Sequence, residues 1–182
     1  MKLMFVSDIH GSLYYCRLMQ EIWQAEQPDR LILLGDLLYH GPRNDLPRDY
    51  NPKGVIAILN EMKDEILCVR GNCDAEVDQM VLQFPILADY LMLMLKKRTC
   101  IVTHGHIYNK DKLPPMKKGD ILLHGHTHLR ALEDMGDYLY INPGSISLPK
   151  GDDVNSYMIY EDGIFTIRDL EGRPIKSMSI FH

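Results

Sequence analysis

Five short apolar runs in this 182-residue chain each stop at a residue able to bind a metal ion. Leu3–Val6 leads to Asp8 and His10, Leu31–Leu34 to Gly35-Asp36, and Ile66–Val69 to Gly71-Asn72. Cys100–Val102 leads to His104, and Ile121–Leu123 to Gly125-His126 and His128. Apolar runs of this length, bounded by turn residues, read as buried strands. In open α/β sheets, ligands sit at the carboxyl ends of strands. Strands that share one sheet edge would therefore bring all seven side chains together. In an extended segment residues i and i+2 face the same side, so Asp8 with His10, and His126 with His128, reach one place. The glycines before Asp36, Asn72 and His126, and the one after His104, let the backbone turn or approach closely. A single DxH, GD or GN is a weak signal, whereas the ordered set, each member after an apolar run, is highly specific.

The segments between the runs set the order of elements. Ser12–Gln27 carries Leu13, Cys16, Met19 and Trp23 near helical spacing and ends before Pro28. Lys53–Lys63 places Val55, Ile58, Leu59 and Met62 on one stripe, with Pro52 at its start. This β-α-β-α-β order predicts a parallel sheet flanked by helices. Tyr90–Leu95 and Thr99–Val102 flank Lys96-Lys97-Arg98 as a hairpin, and the Met-rich Leu91–Leu95 reads as core or a subunit contact. From Arg130 onward, turn signals at Met135-Gly136-Asp137, Asp162-Gly163 and Glu171-Gly172 predict an antiparallel meander. The expectation is an α/β fold of two packed sheets with helices outside, in a single domain over residues 1–182. Gly41–Pro52 is the one long polar loop, as well suited to contacting substrate as to a plain surface connection.

Composition removes several function classes. Apolar residues make up 46 % of the chain and charged residues 25 %, which supports a packed core and argues against disorder. A formal net charge of −5 argues against a broad basic surface, so neither stable nucleic-acid binding nor membrane association is expected. Cys16, Cys68, Cys73 and Cys100 form no CxxC pair and read as free thiols in a reducing compartment. The start, MKLMFVSDIHG, has too short an apolar run for a signal peptide, and Tyr90–Leu95 is too short to span a bilayer. A soluble cytoplasmic protein is the default.

SDIHG, LLGDLLYHGPRN, VRGNCD, VTHGH and LHGHTH resemble the successive motifs of the calcineurin-like metallophosphoesterases, most closely those of the small bacterial and archaeal branch. NPGSIS at Asn142–Ser147 is similar to that branch too. The resemblance implies a four-layer αββα sandwich of two mixed sheets flanked by helices, with a binuclear metal centre. It gives the first metal to Asp8, His10, Asp36 and His128, and the second to Asp36, Asn72, His104 and His126, with Asp36 bridging. Carboxylate, imidazole and amide donors without thiolate suit Mn²⁺, Fe²⁺ or Zn²⁺. The resemblance points to Mn²⁺, with Fe²⁺, Ni²⁺ or Zn²⁺ as alternatives.

The implied activity is a phosphodiesterase acting on a small phosphodiester. A hydroxide bridging two ions about 3.5–4 Å apart would attack phosphorus in line with the leaving oxygen. One family role is missing. Many relatives read GNH, with the histidine placed to protonate the leaving group, and here that position is Cys73. Leaving-group protonation is then weakened or supplied by water; alternatively Cys73 merely packs and His106 or His40 is the acid. His106 is a candidate for touching phosphate. His40 and Arg43 belong to the loop after Asp36, and Arg43 can pair with phosphate. His124 is expected behind the ligands rather than among them, and His182 to be silent. The competing readings are a phosphomonoesterase and a catalytically weak binding scaffold like the retromer subunit of this superfamily. Exposed strand edges leave a homo-oligomer open.

Overall fold

Alternation of buried side chains along the strands decides the layering. The computed structural model describes residues 1–181, so His182 lies outside the described residues. In β1 (Lys2–Val6), Leu3 and Phe5 enter one apolar cluster while Met4 and Val6 enter another. β2 (Arg30–Leu33) divides the same way, with Ile32 against Leu31 and Leu33. Both strands are buried on two faces, as parallel strands inside a sandwich must be. They pair in parallel with each other, and β2 pairs in parallel with β3 (Ile66–Cys68).

Two helices cover the outer face of this sheet. α1 (Leu13–Glu26) starts at Ser12, whose Oγ accepts the Tyr15 N–H, and stops at Gln27, left-handed at φ 48°. It buries Leu13, Cys16 and Met19. α2 (Pro52–Glu61) is capped by Asn51, with Pro52 in its first turn, and buries Val55 and Leu59. Proline there gives up an N–H that has no helical partner anyway. A short third helix, α3 (Glu76–Gln79), follows β3.

The second sheet begins with the expected hairpin of β4 (Tyr90–Leu95) and β5 (Arg98–Thr103). β4 packs Leu91 and Leu93 on the inter-sheet core and leaves Tyr90, Met92 and Met94 exposed on its other side. β5, β6 (Ile121–Leu123) and β8 (Leu139–Pro143) run in parallel, and β7 (Arg130–Asp134) closes the far edge against β8. The order of this sheet is β4-β5-β6-β8-β7.

The meander expected after Arg130 is divided between the sheets. The β7–β8 hairpin stays in the second, whereas β9 (Ser156–Glu161), β10 (Ile164–Asp169) and β11 (Pro174–Ser179) extend the first to the order β11-β10-β9-β1-β2-β3. The reason is burial. β9 has apolar side chains on both faces, Tyr157 and Ile159 toward the helices and Met158 and Tyr160 toward the other sheet. Such a strand needs an interior position, and it takes one antiparallel to β1.

Both sheets are mixed, and they bury a shared core that includes Phe5, Ile32, Val102, Ile141 and Phe165. Over the second sheet, the outermost layer is irregular chain between β5 and β6 rather than a helix. Met116 from that segment packs on Leu122 and Tyr140.

Candidate metal centre

The parallel strands of both sheets end at one rim. Five of the seven side chains that converge there stand on left-handed backbone: Asp8 (φ 60°), His10 (φ 50°), Asp36 (φ 55°), His126 (φ 64°) and His128 (φ 61°). Non-glycine residues seldom adopt this region, and they gather at functional sites where surrounding structure holds them. The convergence therefore comes from sharp reversals past the strand ends, not from the i, i+2 alternation of extended chain. Gly71 is needed for close approach, since a Cβ there would lie 2.1 Å from Asp36 Oδ1.

The donors form two groups that share Asp36. His10 Nε2 lies 3.5 Å and His128 Nε2 3.2 Å from Asp8 Oδ1. Asp36 Oδ2 lies 3.7 Å from His10 Nε2 and 3.5 Å from His104 Nε2. His104 Nε2 is 3.0 Å from Asn72 Oδ1 and 3.2 Å from His126 Nδ1.

Protonation makes this geometry informative. His10 Nδ1 sits 2.8 Å from the Tyr39 carbonyl, His104 Nδ1 2.6 Å from that of Leu34, and His128 Nδ1 2.5 Å from that of Leu148. A carbonyl only accepts, so each Nδ1 carries a proton, and each Nε2 presents a lone pair whenever its ring is neutral, the form that binds a metal. His10 Nε2 and His128 Nε2 then face each other at 3.2 Å as two acceptors. Asp8 Oδ1 is buried beside them with no hydrogen-bond partner. Buried lone pairs aimed at one point are costly unless a cation takes them up. The residues thus fit a divalent ion, and backbone carbonyls orient the imidazoles as metal-binding histidines require.

Charge states follow the same pattern. Burial pushes the Asp8 carboxyl up, but the imidazoles of His10, His128 and His104 outweigh it and hold the group well below the usual carboxylate range. Burial lowers His10, yet Asp8 and Asp36 raise it further than that. His126 is pushed down to about 4, by burial and by His104 beside it. His106 is also lowered, for the same two reasons.

Several groups position the donors without being among them, and Asp74 is the one to which the sequence assigned no role. Asp74, 3 % exposed, accepts the N–H groups of Asp36 (2.8 Å), Leu37 (2.9 Å) and Gly71 (2.7 Å), tying the β2 and β3 tips together. The signal was present in VRGNCD, directly after Cys73. Ser145 and Ser147 of NPGSIS donate to the Asp8 carbonyl at 3.0 and 2.6 Å. Asn142 donates to the Gly125 carbonyl at 2.9 Å. That motif therefore supports the rim from below.

Outside the donor groups lies a cavity of about 320 Å³, lined by Asp36, Arg43, Asn72, Cys73, His126 and Lys150 among others. The start of the long polar loop, Gly41–Asn44, forms one wall. Arg43 lines the cavity, and Lys150, for which the sequence held no signal, joins it. His40 does not line it; its ring is packed edge-on between Tyr39 and Tyr50. His106 stands beside His104 with ring centroids 5.4 Å apart. His124 is buried against Tyr140, behind the donors. The Cys73 N–H donates to Asp36 Oδ1 at 2.8 Å, and its thiol, half-buried and beside Asp36, is pushed up to about 12.

Two mixed sheets that carry aspartate, asparagine and histidine donors from five strand ends to one rim define a metallophosphoesterase. The chain belongs to the calcineurin-like phosphoesterase superfamily, whose domain matches residues 1–162. It is 43 % identical over 175 residues to the phosphodiesterase YfcE of Escherichia coli K12, covering 96 % of this chain and 95 % of that protein. The solved structure of the E. coli Yfce phosphoesterase superposes with a TM-score of 0.96 at 42 % identity, covering 99 % of this chain and 100 % of the other. A vacuolar protein sorting 29 structure from Cryptosporidium parvum shares the fold, with a TM-score of 0.64 at 16 % identity over 98 % of this chain and 97 % of its own.

Proposed function

We propose that this chain is a metal-dependent phosphodiesterase with a binuclear centre. Asp8, His10, Asp36 and His128 hold one divalent ion; Asp36, Asn72, His104 and His126 hold the other. The observation that carries this reading is the set of inward lone pairs fixed by backbone carbonyls, with Asp36 between the two groups. Oxygen and nitrogen donors without thiolate favour Mn²⁺ over softer ions. When bound, two such ions make hydroxide available near neutral pH and take up charge from phosphoryl oxygens.

The protein's own groups do the rest. Arg43 and Lys150 line the cavity and pair with the non-bridging oxygens of the diester. Asp74 fixes Asp36 against the β3 tip. Cys73, protonated at neutral pH, is a poor proton donor beside the leaving group. His106, lowered by burial and by His104 and packed beside that ring, contacts substrate in this reading. His40 orders the Tyr39–Tyr50 wall instead of touching phosphate. Four free cysteines suit a reducing, cytoplasmic setting. Exposed Tyr90, Met92 and Met94 on the edge strand β4 suit pairing with a second copy.

The test is hydrolysis of bis(p-nitrophenyl) phosphate, assayed with Mn²⁺ and after chelation, with p-nitrophenyl phosphate in parallel. Diester turnover that needs metal and exceeds monoester turnover is the expected result. Faster monoester cleavage would reassign the chain as a phosphomonoesterase. No cleavage with Mn²⁺, Fe²⁺, Ni²⁺ or Zn²⁺, despite ion binding, would leave a binding scaffold.

A further inference from the structure

Cys73 has a second side. Beyond it lies a groove of about 460 Å³, lined by Tyr39, Tyr50, Ile56, Cys73, Val77 and Val81 among others. These residues come from the loop after β2, the turn into α2, α2 itself and the α3 region. Tyr39 is 42 % exposed, Val77 63 % and Val81 44 %. Apolar side chains left in water beside a polar cavity mark a ligand surface. Among the described residues the one charged group in this lining is Asp78, whose Oδ2 is turned onto the Ala75 N–H at 2.8 Å.

The other neighbour of the phosphate cavity has a different character. It shares Thr127 and Lys150 with that cavity and is lined by Lys110, Arg130, Glu133 and Asp153. A substituent leaving the phosphate thus meets charge on one side and an aromatic and aliphatic wall on the other. Cys73 is the one residue lining both the phosphate cavity and the apolar groove among the described residues, and it is uncharged. Size is no obstacle, since a cavity of about 150 Å³ already holds a benzene ring.

We infer that this groove receives an uncharged aromatic or bulky apolar ester group of the substrate, so that the chain selects diesters carrying one. The inference rests on the phosphodiesterase reading and adds a substrate class to it. Its test is calorimetric binding of diphenyl phosphate, dimethyl phosphate and inorganic phosphate to the Mn²⁺-loaded protein. Diphenyl phosphate binds at least about tenfold tighter than dimethyl phosphate, since ring burial is the difference between them. Val77→Asp and Val81→Asp, both at exposed positions, each reduce that ratio at least about threefold, and Val81→Leu preserves it. Inorganic phosphate, which does not reach the groove, reports whether the phosphate cavity is intact in each variant. Equal affinity for the two diesters, or a ratio indifferent to both aspartates, overturns the groove assignment. Turnover of bis(p-nitrophenyl) phosphate without the binding preference overturns the groove alone. Absence of turnover with every metal overturns the enzyme reading and the groove's role with it.

Discussion

At the scale of single residues, two side chains carry the most testable chemistry. In the proposed mechanism Cys73 occupies the proton donor's place but holds its own proton too tightly, its thiol being pushed up to about 12. An imidazole titrates near neutral pH and matches the task better. Cys73→His should raise turnover of diesters with poor leaving groups by roughly 100-fold, the low end of general acid catalysis. Turnover measured with the metals retained checks it, and an unchanged rate would leave water as the donor. His126 is the second. Its folded pKa of about 4 lies below the unfolded value of 6.5, so between these values the unfolded chain binds more protons. Stability supplied by neutral His126 is therefore present above about pH 6.5 and lost as pH falls toward 4. Denaturation of the metal-free protein across that window should show the acid slope, and His126→Asn should flatten it.

At the scale of elements, the sequence was legible wherever a strand or helix declared itself by its own pattern. β1, β2, β3, β6 and the β4–β5 hairpin fall where the apolar runs lie, and α1 begins at its Ser12 cap. What local pattern could not tell was pairing. β9 reads as one more member of a meander, and its partner β1 is about 150 residues earlier in the chain. Nor could local pattern show Lys150, whose place at the cavity depends on the turn that follows NPGSIS. The mechanism of convergence was also misread, because left-handed reversals at Asp8, His10, His126 and His128 leave no periodic trace. The close approach of the β2 and β3 tips gives a prediction of its own. Gly71→Ala would drive a methyl group into the Asp36 carboxylate. It should cost about 1–3 kcal/mol of stability by overpacking and about 100-fold in turnover by misplacing Asp36, read from denaturation midpoints and kcat.

At the scale of the whole molecule, the rim joins two sheets that otherwise meet through an apolar core. His104 and His126 come from the second sheet, Asp8 and Asp36 from the first, and Asp8 Oδ2 accepts the His126 N–H at 3.1 Å. Cations bound by that set would favour the folded chain, because the donors are far apart in the unfolded one. Saturating Mn²⁺ should therefore raise the unfolding midpoint by roughly 5–10 °C over the chelated protein, and Asp36→Asn should remove most of that shift. Calorimetric scans with and without metal check both. Among the described residues no helix is long and apolar enough to cross a membrane.

The donors are also spread along the chain, from Asp8 to His128, with the serines that brace Asp8 later still. During synthesis, Asp8, His10, Asp36 and Asn72 leave the ribosome long before any partner from the second sheet exists. A nascent chain in that condition can offer an ion only half a coordination sphere. A centre built from all of these donors, as proposed, would be complete only once translation has passed His128, so its filling would report folding and not direct it.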